Sequence, residues 1–443
     1  MTNQMTSATS SIELSLGHLS SIVSSQNERT CRREGASQAT LATVRHASPL
    51  GKSLSRLSRV SRAFTLDNII VIQRTPITLI ILPITFGQVS FAIMAQPHMD
   101  NSSTVHEQLC LIGSQKLNSR GFFQEYYGHT PNDLLQLHAV ARELHRRQPV
   151  IWLAGDSSLD NKAWVKPPPG WKNAPVTEPQ SVFMPDIYRE AFDDHQCVKN
   201  DIAFWVNDYM ILYAQRKATC INAAVEASML RDRAEKLLPQ DTVIQKNMKQ
   251  EDILIVSVGV NDIAMNPTCT TIMNLLKLAW FTPTSQITKG KSRTLRYFED
   301  IFGKQVQAYV NQLCALSKPR AVIVCMIYYP LEFRFGQRGW SDLSLALMGY
   351  NLRPKKLQAV IRALYNLGTR RIQIPGTEVV PCPLFERLDG RIPENYVERV
   401  EPSKTGGQWI AKWFAFAVKD ILVQPDAKKR KPFGGSWGTA KEF

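Results

Sequence analysis

With 443 residues, 44% of them hydrophobic and 21% charged, the chain has a globular composition and the length for one large core with extensions; a wholly disordered or fibrous protein is excluded. The formal net charge of +15 raises nucleic acid or a membrane surface as partners, but eight Lys and Arg stand against three Glu before residue 67, and Lys428, Lys429, Arg430 and Lys431 lie in the last sixteen residues. Read as solvated termini, these charges predict no nucleic-acid partner, and the eight cysteines, scattered singly with no Cys-x-x-Cys pair, exclude a structural zinc site and suit a reducing compartment.

Residues 1–100 read as a low-complexity, disordered extension rich in Ser, Thr and Arg. Within it "TPITLIILPITFGQVSFAIMA", 75–95, is uncharged and long enough to cross a bilayer, although Pro76 and Pro83 weigh against a spanning helix. Three readings stay open: an apolar anchor, part of an organelle-targeting segment, or a stretch upstream of a working start at Met94. The expected location is cytoplasmic, or membrane-anchored or organellar if the extension is genuine targeting sequence; any membrane contact is expected only through 75–95.

A domain over 101–425 follows, with a basic disordered tail at 426–443. "DLLQLHAVARELHRR" from Asp133 has helical periodicity, and "VIWLA", 150–154, reads as a buried strand. The runs 218–225, 252–259, 320–330 and 377–385 read as further strands, with helices over 228–238, 294–317 and from Ser403 onward. Strands alternating with helices predict an α/β fold: a three-layer αβα sandwich around a parallel sheet of about five strands, flavodoxin-like in type. A proline-rich segment at 165–180 and an aromatic, glycine-containing excursion at 331–351 interrupt the rhythm and read as binding surfaces or neutral insertions.

In such sheets ligands bind beyond the carboxyl ends of the strands. There the chain places Gly155-Asp156-Ser157, then Gly259-Val260-Asn261-Asp262, and finally "VERVEPSKTGG". Ser157 on a tight turn at a helix N-terminus is suited to acyl transfer; equally, Asp156 or Ser157 could simply cap that helix. Asn261 can donate an amide hydrogen bond to an oxyanion, with Asp262 holding the loop, or the pair is an ordinary turn.

Taken together, "GDSS" and "GVND" resemble the ordered blocks of the SGNH hydrolase superfamily, the GDSL esterases and lipases, over about residues 148–423. The resemblance implies that Ser157 is the nucleophile and that its backbone N–H, a second N–H from the loop after the second strand, and Asn261 form the oxyanion hole. Ala227 stands nearest the position of that family's glycine, with Ala224 as competitor; Asp156, Gly259, Asp262 and Glu398 are supporting residues. Neither metal nor cofactor is implied, and the substrate is a small-molecule ester or acylated compound.

The family's Asp-x-x-His block is replaced by Glu398-Arg399-Val400-Glu401, and no histidine follows His195. Glutamate, with a pKa of about 4.3 against about 6.5 for histidine, is too weak a base by roughly two units unless burial raises it. Three substitutes come forward: a buried Glu401, Lys162, or one of His129, His138, His145 and His195. Lys162 reads as a solvated helix residue, and His138 and His145 as boundary residues. The chain is thus expected to be a serine ester hydrolase or acyltransferase, weak or inactive without a competent base, or else a pseudoenzyme in which Glu401 caps the last helix or pairs with Arg399 or Lys404.

Overall fold

The computed structural model describes residues 116–124, 126–146, 148–167, 184–215, 218–424 and 430, with His195 described by its backbone alone, together with the backbone of four strands between 62 and 95. The segment before residue 62, most of the proline-rich loop and the basic tail apart from Arg430 lie outside the described residues. Two units are present, Met1–Ser103 and Thr104–Phe443. In the first, strands β1 (Arg62–Leu66), β2 (Ile69–Arg74), β3 (Ile77–Ile84) and β4 (Gln88–Ala95) pair antiparallel in chain order. The uncharged run 75–95 coincides with β3 and β4. No helix among the described residues is long and apolar enough to cross a membrane.

In the second unit, β5 (Val150–Gly155), β6 (Thr219–Asn222), β7 (Ile253–Ser257), β8 (Ala321–Met326) and β9 (Glu378–Pro383) form an all-parallel sheet in the order β6-β5-β7-β8-β9. Every residue of β5 to β8 is buried, as strands rich in Val and Ile must be when helices cover both faces. The expected α/β sandwich is the fold that forms.

The helices start where the sequence offers caps. Thr130 accepts from Asp133 N ahead of α1 (Pro131–Leu144), Asp201 accepts from Phe204 N ahead of α2 (Ile202–Ala214), and Ser403 accepts from Gly406 N ahead of the last helix, Lys404–Val423. At the amino end of the sheet, Asp252 ties the layers together, accepting from Val150 N at 2.8 Å and from Arg142 on α1 at 2.6 Å.

Two expected helices differ. Residues 228–238 form only a 3₁₀ turn, Arg231–Arg233, because the amides of Leu230 and Arg231 donate to Asp262 and the buried Arg233 donates to Gly155 O, Met229 O and Asp241. The long helix predicted over 294–317 forms as an uninterrupted helical run over 293–313, but it is locally widened by a π-helical stretch at Asp300–Gln305. Of the basic tail run, Arg430 pairs through both guanidinium nitrogens with Glu378 at 2.7 Å.

The order of strands reverses at β5, so the crevice beyond the ends of β5 and β7 is where this topology offers a site.

Candidate active site

Chain path dictates the first turn. Gly155 has φ +143°, and a β-carbon there would lie 1.8 Å from Ser257 O, so only glycine lets β5 end against β7. No helix follows: Leu159 N and Asp160 N both return to Asp156 O in a single turn. Neither the helix cap nor the helix N-terminus expected at Ser157 exists, since Asp156 Oδ1 instead accepts from Ser158 N (3.1 Å) and Ser158 Oγ (2.7 Å). Burial pushes the Asp156 carboxyl up to about 6. The Ser157 side chain is buried at the turn's crest, and its N–H takes part in none of the turn's bonds.

On the adjoining turn Gly259 has φ +110°, and Asn261 opens a short helix, Asn261–Ala264. Asn261 Nδ2 donates to Ser228 O at 3.0 Å, which occupies one of its two amide hydrogens. Asp262 holds the facing loop through Leu230 N (2.7 Å) and Arg231 N (3.1 Å). In that loop Ala227 has φ +59°, a left-handed conformation costing an alanine roughly 1 kcal/mol or more. Its N–H enters no bond, while that of Ala224, the competing position, is occupied by Asn222 Oδ1 at 3.1 Å.

The carboxylates lie on another structural footing. Glu401 begins β11 (Glu401–Pro402), paired with β10 (Tyr396–Val397) across a turn whose Glu398 and Arg399 both have positive φ, +49° and +72°. Trp340, from the 331–351 excursion, donates its backbone N–H to Glu398 (3.2 Å) and its indole N–H to Glu401 Oε1 (3.2 Å). The second oxygen of Glu401 has no hydrogen bond of ordinary geometry, yet the Ser157 hydroxyl is close enough to favour the ionised form. Burial nonetheless dominates, with Asp156 and Glu398 adding repulsion, and pushes the Glu401 carboxyl up to about 8. Glu398 does not orient Glu401; both are held by Trp340.

The structural roles open to Glu401 are filled by others. Ser403 caps the last helix, and the wholly buried Arg399 binds Asp342 at 2.6 Å, Asn351 at 2.9 Å and Leu331 O at 3.2 Å.

Lys162 is not solvated as expected: it is buried, and its ammonium contacts both Asp160 oxygens at 2.7 and 2.8 Å. Asp160 also accepts from Glu226 N, and burial followed by repulsion from Glu401 pushes the Glu226 carboxyl up. His129 stacks on Phe122; His138 lies against Trp152 and accepts from Arg142; His145 bonds Thr219 at the start of β6. The last two are thus boundary residues at the sheet's amino end, remote from Ser157, and the side chain of His195 lies outside the described residues.

Ser157, Asp156, Asn261 and Glu401 line one cavity of about 120 Å³, and Ala227 is not among its walls. The remaining walls are almost wholly apolar, including Leu275, Leu278, Phe298, Phe302, Leu357 and Leu364. Arg233, Glu226 and Trp340 were not legible beside the site, and only the aromatic character of 331–351 hinted at one of them; Arg399 was named as a partner for Glu401 but instead binds Asp342, Asn351 and Leu331 O.

No family model matches the chain, and no curated protein matches it. Among solved structures it is similar to a carbohydrate esterase family 3 from Talaromyces cellulolyticus, at 11% identity and a TM-score of 0.34 over 62% of this chain and 99% of that one. It is also similar to the lipase Lip_vut3 from a goat rumen metagenome (12%, 0.32, 61% and 97%) and to the aryl esterase of M. smegmatis (13%, 0.32, 62% and 100%). What this chain does must be argued from its own residues.

Proposed function

We propose that the chain is a serine ester hydrolase or acyltransferase of the SGNH type in which Glu401 replaces the usual histidine. The observation that carries this reading is a buried carboxyl with one unpartnered oxygen, raised to about 8, beside a serine on the turn that leaves a sheet strand. A glutamate in its ordinary range would be almost wholly ionised and weakly basic at neutral pH; one raised to this extent approaches histidine's poise.

Ionised Glu401 takes the Ser157 proton as Oγ bonds to the ester carbonyl carbon. The oxyanion formed faces the N–H of Ser157 and the remaining amide hydrogen of Asn261. Collapse breaks the ester C–O bond, the departing alkoxide receives the proton from Glu401, and water or an acceptor alcohol then releases the acyl group by the reverse sequence. Ionisation of Glu401 being required, the rate on a short-chain ester is expected to climb with pH through about 8.

The test is hydrolysis of a short-chain ester, with fluorophosphonate labelling, by folded wild type, Ser157→Ala and Glu401→Gln. Hydrolysis and labelling lost in Ser157→Ala, with Glu401→Gln retaining a small rate without the alkaline rise, is the expected result. Absence of both from the wild type above pH about 8 would instead make the chain a binding or interaction module on a hydrolase scaffold.

A further inference from the structure

The outer face of the cavity wall carries the largest exposed side chains of this region. Phe281 is 78% exposed, Leu352 74%, Met273 50% and Trp280 42%. The segments adjoin: the Trp280 indole donates to Leu347 O at 3.0 Å and packs beside Gly349, and Lys356 donates to Ala279 O at 2.6 Å. Residues alternating with them on the same segments, Leu275, Leu278, Met348 and Leu357, line the cavity. The wall is therefore apolar on both faces, one turned to Ser157 and one to solvent.

Charge is equally one-sided. From Ile263 to Phe298 there is no Asp or Glu, and none from Leu343 to Thr377, while Lys277, Lys289, Lys291, Arg293, Arg353 and Lys355 are exposed in these stretches. None of these six takes part in an ion pair among the described residues. Exposed Trp, Phe, Leu and Met on acid-free stretches that also carry unpaired exposed cations match a lipid headgroup layer, which offers anions at the rim and hydrocarbon beneath. Phosphate on a nucleic acid would satisfy the cations but leave Leu352 and Met273 without a partner.

We propose that this face, residues 273–281 with 347–355, docks onto an anionic lipid surface. That places membrane contact on the hydrolase unit and not only on the run 75–95. The cavity behind this face is lined almost wholly by apolar side chains, so the ester cleaved would carry a hydrocarbon acyl group. This last clause rests on the hydrolase reading; the docking does not.

The test is co-sedimentation of the full chain with vesicles of phosphatidylcholine alone or of equimolar phosphatidylcholine and phosphatidylglycerol. The expected result is binding only to the anionic vesicles, reduced about tenfold or more by Phe281→Asp with Leu352→Asp at an unchanged unfolding temperature. Lys277→Glu with Arg353→Glu should weaken binding and flatten its salt dependence. Ser157→Ala should sediment as wild type whether or not the chain hydrolyses esters, so a failed hydrolase reading would leave the docking standing. No anionic-lipid dependence, or a Phe281→Asp, Leu352→Asp protein that binds like wild type, overturns the proposal. So does binding to duplex DNA, without vesicle binding, that the Lys277→Glu, Arg353→Glu protein loses.

Discussion

Ser157 and Asn261 sit on turns that leave β5 and β7 directly, whereas Glu401 hangs from a two-residue hairpin outside the central sheet. The first pair inherits its position from strands buried at every residue; the last depends on Trp340, which reaches it from an irregular excursion, and on Arg399, which ties the hairpin's own turn to that excursion. Regular structure aims Ser157, the proposed nucleophile, and a side-chain clamp aims Glu401, the proposed base. The two halves should therefore fail in different ways when disturbed.

The largest effect belongs to the sheet-borne half. Asn261→Ala should lower kcat on a short ester by roughly 10²–10³-fold, the cost of one oxyanion donor, without altering the pH at which the rate rises. A normal rate would remove Asn261 from the oxyanion hole.

Next comes the clamp. Arg399→Met leaves Asp342 without its cation and the strained turn unsupported, and should cost about 3 kcal/mol in urea unfolding. Its activity should fall further than that of a surface variant of equal stability loss, because the base would no longer be held near Ser157.

A smaller effect should appear as displacement of the alkaline rise. Trp340→Phe removes a hydrogen bond to the Glu401 carboxylate and should move the rise to higher pH; Glu398→Gln removes a like-charged neighbour and should move it lower. Stability carries the same signature. The folded chain holds the Glu401 proton more tightly than the unfolded one, so the stability it contributes is whole below the ordinary 4.5 and is lost as pH climbs through about 8. Glu401→Gln should flatten that fall, measured as the urea midpoint against pH.

Smallest is Ala227→Gly, which relieves a left-handed alanine and should stabilise the fold by roughly 0.5–1 kcal/mol, with the ester rate unchanged or slightly raised. A loss of stability would mean that the methyl group packs well enough to offset its backbone strain.

The same division governs what could be read without a structure. "GDSS" and "GVND" announce themselves because a buried strand must end in a turn, and the glycines at 155 and 259 take backbone angles that other residues avoid. Four of the five strands, β5 to β8, were legible for the same reason, as apolar runs with no charged interruption; β9, with Glu378 and two prolines, gave a weaker signal. The environment of Glu401 was not, because Trp340 lies 61 residues away and Ser157 belongs to the opposite end of the domain. Lys162 misled because a lysine in a polar stretch looks solvated, and nothing nearby signals that Asp160 and Glu226 bury together with it. The helix predicted at 228–238 had the right periodicity, but Asp262 and Gly155 claimed its backbone amides and its Arg233 first.

The paired left-handed residues Glu398 and Arg399 also bear on the order in which the molecule assembles. Backbone strain of this kind persists only while its surroundings enforce it, and here the enforcing contacts come from residues 331–351. We expect the hairpin to settle only after the sheet has formed and the excursion has docked, with its amides the first to exchange with solvent in the native state. On the proposed mechanism, a newly made chain would then place its serine before its base, and become reactive only in the last step of folding.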